Sequence, residues 1–302
     1  MSSRLPAFER SLRQGALLAP GTDPHFVPEY LLQSYYYQHL SEQESGSGNS
    51  EKQARHPRRP LHDLGHALKT FASDAGYIYS SPVRINARSL MWAGGIVAVG
   101  VIIYAFDQEI HDEFKRTKER SLYRPIRDLG EELSTVGLMG KTNKYFLGGV
   151  LLGYLTGIDP ITDISAQILE GQFIAGGYKD AANFLVGRQR PEAGVGPYVY
   201  KINDGTSFPS GHAKNVFIMA RVVSHHIPFL PVQIGAYTVA GAVSLERITS
   251  DSHWPSDVYA AAVYGWIVAN ELIKRRESGS LSIAAGTVGS SHTPGVNVAF
   301  HF

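Results

Sequence analysis

The chain contains no cysteine. Disulfides, thiolate nucleophiles and thiolate metal sites are therefore excluded. Charge of either sign is also scarce: charged residues make up 18% of the 302, and the formal net charge is +1. No global field draws such a protein to nucleic acid, so no nucleic-acid partner is expected and any electrostatics must be local. Mean hydropathy is −0.12, whereas a protein built mainly of membrane-spanning helices is clearly more apolar. The opening MSSRLPAFER lacks an apolar stretch and does not read as a secretory signal. This predicts either a cytoplasmic protein or a periplasmic one whose leader has been removed.

What is present falls into three parts. Residues 1–60 form a polar extension rich in Pro, Ser, Gln and Tyr. Within it, Ser41 to Glu51 has the composition of a flexible loop, Tyr35-Tyr36-Tyr37 is expected to pack against the domain, and Arg55 to Arg59 reads as a solvated linker. Residues 61–276 read as helix after helix, beginning with Leu61, Leu64, Leu68 and Phe71 at helical spacing. Leu90 to Phe106 is an uncharged run near the lower limit for a membrane span. It carries three glycines, and a buried core helix reads equally well. Helical patterns follow at about 107–120, 125–138, 142–157, 161–187, 211–225, 231–247 and 256–276. Pro228 and Pro231 break the uncharged stretch Ile227 to Leu245 and argue against a span there.

The tail, 277–302, changes character. Val296, Val298, Phe300 and Phe302 alternate with smaller or polar residues, which is strand periodicity. Residues 281–288 and 295–302 are expected to pair as a surface hairpin. The ending also resembles the last strand of outer-membrane barrels, but one hairpin cannot make a barrel. The fold class predicted is all-α, a multi-helix bundle with this hairpin as an addition.

Three segments carry chemistry: Asn183 to Pro191 (NFLVGRQRP), Ser207 to His212 (SFPSGH), and Glu246-Arg247 followed by His253 and Asp257. Arg188 and Arg190 lie at a helix end before Pro191, where capping alone would explain them. Pro-Ser-Gly precedes a helical pattern. It places Ser210 and the free amides of Gly211 and His212 at a helix N-terminus, an anion site or a plain serine cap. His253 and Asp257 are four apart. In a helical stretch the carboxylate would accept from one imidazole nitrogen and leave the other free to attack. Each segment is weak alone. Together they hold guanidiniums, two imidazoles and a helix start, which is the inventory that phosphoryl transfer demands.

These segments resemble the tripartite signature of the type 2 phosphatidic acid phosphatase superfamily, which also contains the acid phosphatases and vanadium haloperoxidases. That signature reads Lys-x6-Arg-Pro, Pro-Ser-Gly-His and Ser-Arg-x5-His-x3-Asp. Arg190-Pro191, Pro209-Ser210-Gly211-His212, Arg247, His253 and Asp257 match in order and spacing. Two positions depart from the signature: the lysine slot holds Asn183 and the serine slot Glu246. Lys179, one turn earlier, or Arg188 is expected to compensate, and Glu246 to pair with Arg247 or another arginine and turn outward. The helical surroundings look like the soluble bacterial branch.

The resemblance implies a metal-independent hydrolysis of phosphate monoesters, lipid or small and soluble, with no cofactor. His253 is the implied nucleophile, Asp257 its orienting partner and His212 the general acid and base. Arg190, Arg247, Ser210 and Gly211, with Asn183 and Arg188 beside them, would hold the phosphate. The implied location is the periplasm or cell envelope, soluble or at a membrane surface, with an integral protein as the alternative. Phe208, Trp254, Tyr198 and Tyr200 flank the motifs, either as an apolar entrance or as packing. Rival readings are a vanadium haloperoxidase, a phosphotransferase and a weakened phosphate-binding protein. His62 with His66, and His225 with His226, have spacings that bind metal elsewhere but lack a convincing third ligand, so surface or core roles are expected.

Overall fold

In the computed structural model the described residues are 60–84, 86–117, 120, 123–279, 281–288 and 293–300. The tyrosine run, the Ser41 to Glu51 stretch and the basic patch lie outside them. Among the described residues the chain forms nine α-helices and a terminal hairpin. The helices are α1 (Pro60–Tyr79), α2 (Ala87–Ala105), α3 (Asp107–Thr117), α4 (Arg124–Leu133), α5 (Met139–Thr156), α6 (Asp159–Val186), α7 (Gly211–His226), α8 (Leu230–Thr249) and α9 (Pro255–Gly279). The protein is all-α in class, as its periodicity predicts.

Local signals set most boundaries. Prolines stand in the first turns of α4, α6 and α8, where a missing N–H costs nothing. Left-handed glycines, Gly157 and Gly187, close α5 and α6. The stretch expected to be helical to residue 138 is α4 followed by a 3-10 turn, Ser134–Gly137.

α7 is the hub. It packs against α6 and α9 through Ile168, Ile174, Ile218, Val222, Val268 and Leu272, and against α8 through Val216, Ala220, Ala240 and Val243. Full burial of a side chain of this size contributes about 1.5–3 kcal/mol, so these contacts fix the N-terminal turn of α7, which carries the motif Pro209-Ser210-Gly211-His212.

The uncharged run Leu90 to Phe106 is not a core helix. It forms α2, none of whose residues is buried; Leu90, Met91, Trp92 and Ile102 stand exposed. By length and composition α2 suffices to cross a membrane. Mean hydropathy averages this helix with the polar extension and so conceals it.

The hairpin pairs β1 (Leu281–Val288) antiparallel with β2 (Thr293–Phe300), Leu281 opposite Phe300 and Val288 opposite Thr293. The second strand thus starts two residues before the expected 295, because pairing extends through Thr293 and Pro294, beyond the alternating stretch.

Candidate active site

The first motif leaves α6 through Gly187, at φ +61; a Cβ there would lie 1.9 Å from the Lys201 carbonyl oxygen, so glycine is required. Beyond this turn the two arginines part. Arg188 is 2% exposed. Its Nη2 donates to Asp107 (2.7 Å), Nη1 to Asp257 (2.6 Å) and Ser256 Oγ (2.8 Å), and Nε to the Pro197 carbonyl (2.9 Å). Burial lowers its pKa, but Asp257 and Asp107 outweigh that and hold it raised. The expectation that Arg188 holds phosphate thus meets a guanidinium already committed to two buried carboxylates. Arg190 instead lines an open cavity, with Nε donating to Thr206 Oγ1 at 3.0 Å.

Asp257 does not touch His253 directly. Residues 250–254 precede α9, so the helical i, i+4 relation does not apply to this pair. Asp257 accepts instead from Ser207 Oγ (2.5 Å) and the Trp254 amide (3.0 Å) in addition to Arg188. Burial raises its pKa against the pull of these partners. His253 Nδ1 donates to the Ser207 carbonyl at 2.6 Å. Ser207 therefore links the two, taking the imidazole proton on its carbonyl and giving its hydroxyl to Asp257.

The segment carrying His253 is anchored on both sides. The amides of Ser252 and His253 donate to the Arg247 carbonyl (3.2 and 3.0 Å). Asp251, at φ +61, accepts from His111 Nε2 (2.8 Å) and Lys115 Nζ (2.6 Å) on α3. The Trp254 indole donates to the Gln189 carbonyl at 2.9 Å.

The cavity measures about 610 Å³, and Arg190, Gly211, His212 and His253 share its walls with Lys179 and Lys214. His253 is 4% exposed. Burial, then Arg190, pushes its pKa down to about 3. Burial, then Arg247 and Arg190, pushes that of His212 down to about 4. Gly137 backs His212: a Cβ on it would lie 2.6 Å from the imidazole Cδ2, so only a glycine admits this ring.

The other expected phosphate ligands stand one step back. Ser210 is fully buried and caps α7, its Oγ accepting from the Ala213 amide at 3.4 Å. Arg247 is ion-paired through Nε and Nη2 with Glu246, as expected, but the carboxylate is buried rather than turned outward. Asn183, oriented as its hydrogen bonding requires, donates to the Phe208 carbonyl (2.6 Å) and accepts from Lys179 Nζ (2.8 Å). Lys179 thus stands in the cavity wall near the slot the signature gives to lysine.

The four aromatics divide. Trp254 packs, buried beside His111. Tyr198 donates to the carbonyls of Tyr104 and Ala105 (3.2 and 3.0 Å). Phe208 and Tyr200 line a second, apolar cavity of about 490 Å³ between α2 and α9. Of the remaining histidines, His62 and His66 lie exposed on α1, His226 bonds Gln167 (3.0 Å), and His225 lies 3.6 Å from Glu277.

Residues 165–277, which hold all three motifs, match the family described as the PAP2 superfamily. The chain carries a PAP2 superfamily domain. It is 31% identical over 212 residues to the lipid A 1-phosphatase of Porphyromonas gingivalis, an alignment covering 68% of this chain and 42% of that relative. The chain therefore spans less than half the length of the relative it matches. Among solved structures it is similar to Aquifex aeolicus LpxE (18% identity, TM-score 0.41, 55% of this chain and 93% of that one). It is also similar to a transmembrane PAP2 type phosphatidylglycerolphosphate phosphatase from Bacillus subtilis (18% identity, TM-score 0.24, 70% and 95%).

Sequence reasoning missed Asp107, His111 and Lys115, which precede the matched PAP2 domain and pack against it, and Lys214 within it. The first three act on motif residues 81 or more positions away, so no local pattern announces them. Lys214 carried a usable signal: a lysine two residues after the motif histidine, just ahead of the apolar run Val216 to Ala220.

Proposed function

We propose that this PAP2 domain hydrolyses phosphate monoesters through a phosphohistidine on His253. One contact carries the reading. A carbonyl only accepts, so the bond from His253 to Ser207 requires the proton on Nδ1 and leaves the lone pair on Nε2. Burial keeps that ring neutral at physiological pH, and a neutral imidazole is the nucleophilic form.

In the proposed reaction Arg190 and the Gly211 amide hold phosphate oxygens at the N-terminus of α7, where the helix dipole favours an anion. Nε2 of His253 attacks phosphorus and the bond to the leaving oxygen breaks. His212 gives that oxygen a proton, then takes one from the water that attacks phosphorus and releases His253. A bound phosphate dianion offsets Arg190 and Arg247 and raises the proton affinity of His212, so the substrate itself prepares the general acid. Uncatalysed hydrolysis of such esters needs acceleration of up to about 10²¹-fold. Proton transfer supplies about 10²–10⁴ of it; positioning and the cationic field must supply most of the rest. Asp257 acts through Ser207, as a positioning residue.

A lipid phosphate is the proposed substrate, in the cell envelope and at a membrane. The exposed apolar helix α2 supports this, as does the apolar cavity of about 490 Å³ beside it. The name of the Porphyromonas gingivalis relative points the same way.

The test is phosphate release, with a metal chelator present, from a chromogenic monoester and from a lipid phosphate in mixed micelles. Turnover of both, faster on the lipid and inhibited by vanadate, is expected. Absence of release from either, with vanadate unbound, would sink the proposal. The Glu246–Arg247 ion pair favours a second reading, a weakened phosphate-binding site; binding of vanadate without turnover is its signature.

A further inference from the structure

α3 carries Asp107, His111 and Lys115 at four-residue intervals, so the three side chains leave one face of the helix. That face holds the site from behind. Asp107 accepts from Arg188 of the first motif (2.7 Å) and from the amide and hydroxyl of Ser256 at the start of α9 (2.8 and 2.5 Å). One turn on, His111 Nε2 donates to Asp251 Oδ1 (2.8 Å). A turn later, Lys115 Nζ donates to Asp251 Oδ2 (2.6 Å). The proposed reaction gives neither His111 nor Asp251 a part.

Asp251 joins two loops. It precedes His253 by two residues, and its backbone carbonyl accepts from the Glu192 amide (3.1 Å), two residues past Arg190. The place of Asp251 therefore sets the nucleophile's loop against the loop of the arginine proposed to hold phosphate. Its φ of +61° is unfavourable for a residue other than glycine and persists only where the surroundings hold it. Burial opposes its charge, yet hydrogen bonds from Lys115 and His111 hold its pKa lowered, so both donors meet an anion.

The two donors are not equal. The Lys115 side chain is 39% exposed and that of Asp251 30%, and an ion pair so open to water restrains little. His111 is 5% exposed, with the Trp254 ring beside it (centroids 5.3 Å apart) and Asp112 at its Nδ1 (3.2 Å). A buried imidazole fixed in this way gives its bond to Asp251 one length and one direction.

We infer that His111 is a positioning residue for the reaction at His253: through its hydrogen bond to Asp251 it keeps the His253 loop in register with the Arg190 loop. The inference rests on the phosphatase reading and adds a control that lies outside the three motifs and ahead of the matched domain.

The test is steady-state hydrolysis of a chromogenic monoester by the full chain and by its His111→Phe, His111→Gln and Asp251→Asn variants, with a melting temperature for each. Phenylalanine keeps a ring against Trp254 but donates nothing, whereas glutamine donates from near the place of Nε2 but has no ring. His111→Phe should lower kcat by about 10²-fold, the scale of a misplacement of about 1 Å at the reacting atoms. KM should stay near wild type, since Arg190 and the Gly211 amide still meet the anion. His111→Gln should recover most of the lost kcat. Asp251→Asn tolerates the same φ but turns an amide toward one of its donors. It should lose kcat at unchanged KM, and it gives the same reading should His111→Phe fail to fold. A merely structural histidine predicts the reverse order, with His111→Phe active and His111→Gln impaired, or losses of kcat that follow melting temperature in all three variants. Either result, or wild-type kcat throughout, overturns the positioning role and leaves the phosphatase reading standing. If the wild-type chain releases no phosphate, the two fall together.

Discussion

Arg188 and Arg190 are two residues apart in one motif, yet they belong to different parts of the molecule. Arg188 is sealed in a knot with Asp107, Asp257 and Ser256, where its charge is used up inside the protein. Arg190 stands at an open cavity with two neutral imidazoles, where its charge is available to a ligand. The sequence reading places both at the phosphate, Arg190 by the signature and Arg188 as its neighbour. Packing separates them: one cation holds α3, the first motif and α9 together, and the other faces whatever enters. The two regions meet at Ser207, bonded to Asp257 by its hydroxyl and to His253 by its carbonyl.

The largest expected effect tests the open side. His253→Ala should lower turnover by about 10⁴-fold or more, the usual consequence of deleting a nucleophile, while leaving the melting temperature near wild type. Near-normal turnover in this variant would remove the nucleophile from the mechanism. Arg190→Met should cost about 10²–10³ in kcat/KM, as losing one transition-state donor does.

Arg188→Met is the matching cut on the closed side. It strands Asp107 and Asp257 as buried carboxylates, and breaking such a pair costs about 3–5 kcal/mol. Chemical denaturation should show this loss for Arg188→Met, and a change within about 0.5 kcal/mol for Arg190→Met, as for other substitutions outside the core. Equal destabilisation by both substitutions would erase the distinction between the regions.

The sequence shows one side of this contrast better than the other. The helices are legible because apolar periodicity and helix breakers are local: Pro228 stands between α7 and α8, and Pro231 in the first turn of α8. The cavity residues are legible because His212, Gly211, Arg190 and His253 sit in contiguous motifs. The knot is not, because Asp107 lies 81 positions from Arg188 and nothing near Asp107 marks it as buried. The direct His253–Asp257 bond fails for a related reason. A spacing of four implies contact only in a helix, and α9 begins after His253.

Acid should reveal the open side again, more gently. His212 and His253 have folded pKa values of about 4 and 3, below the ordinary 6.5 of an unfolded chain. Between those limits the unfolded state binds more protons, so stability falls as pH drops from about 6.5 toward 4. Asp257, raised by burial, contributes the opposite slope, so the informative quantity is a difference between variants. Melting temperatures taken at about pH 7.5 and about pH 5 should differ less in His253→Gln than in wild type. An unchanged difference would mean that the ring is not held neutral by the fold.

The smallest expected effect lies where the two regions blur. Arg247 belongs by sequence to the open side, yet Glu246 holds its Nε and Nη2, and both side chains are mostly shielded from water. An incoming anion must compete with that carboxylate. Glu246→Ser restores the residue the family signature has there, removes the competitor and leaves Arg247 free to turn toward His212 and His253, whose pKa values already register its charge. Vanadate affinity should rise by about fivefold, on the scale of one charge-assisted hydrogen bond less the cost of reorienting the arginine. The same substitution leaves Arg247 partly buried without a partner, so the unliganded protein should melt earlier and recover on adding vanadate. Earlier melting with no gain in affinity would assign the Glu246–Arg247 pair to the closed, structural side, next to Arg188.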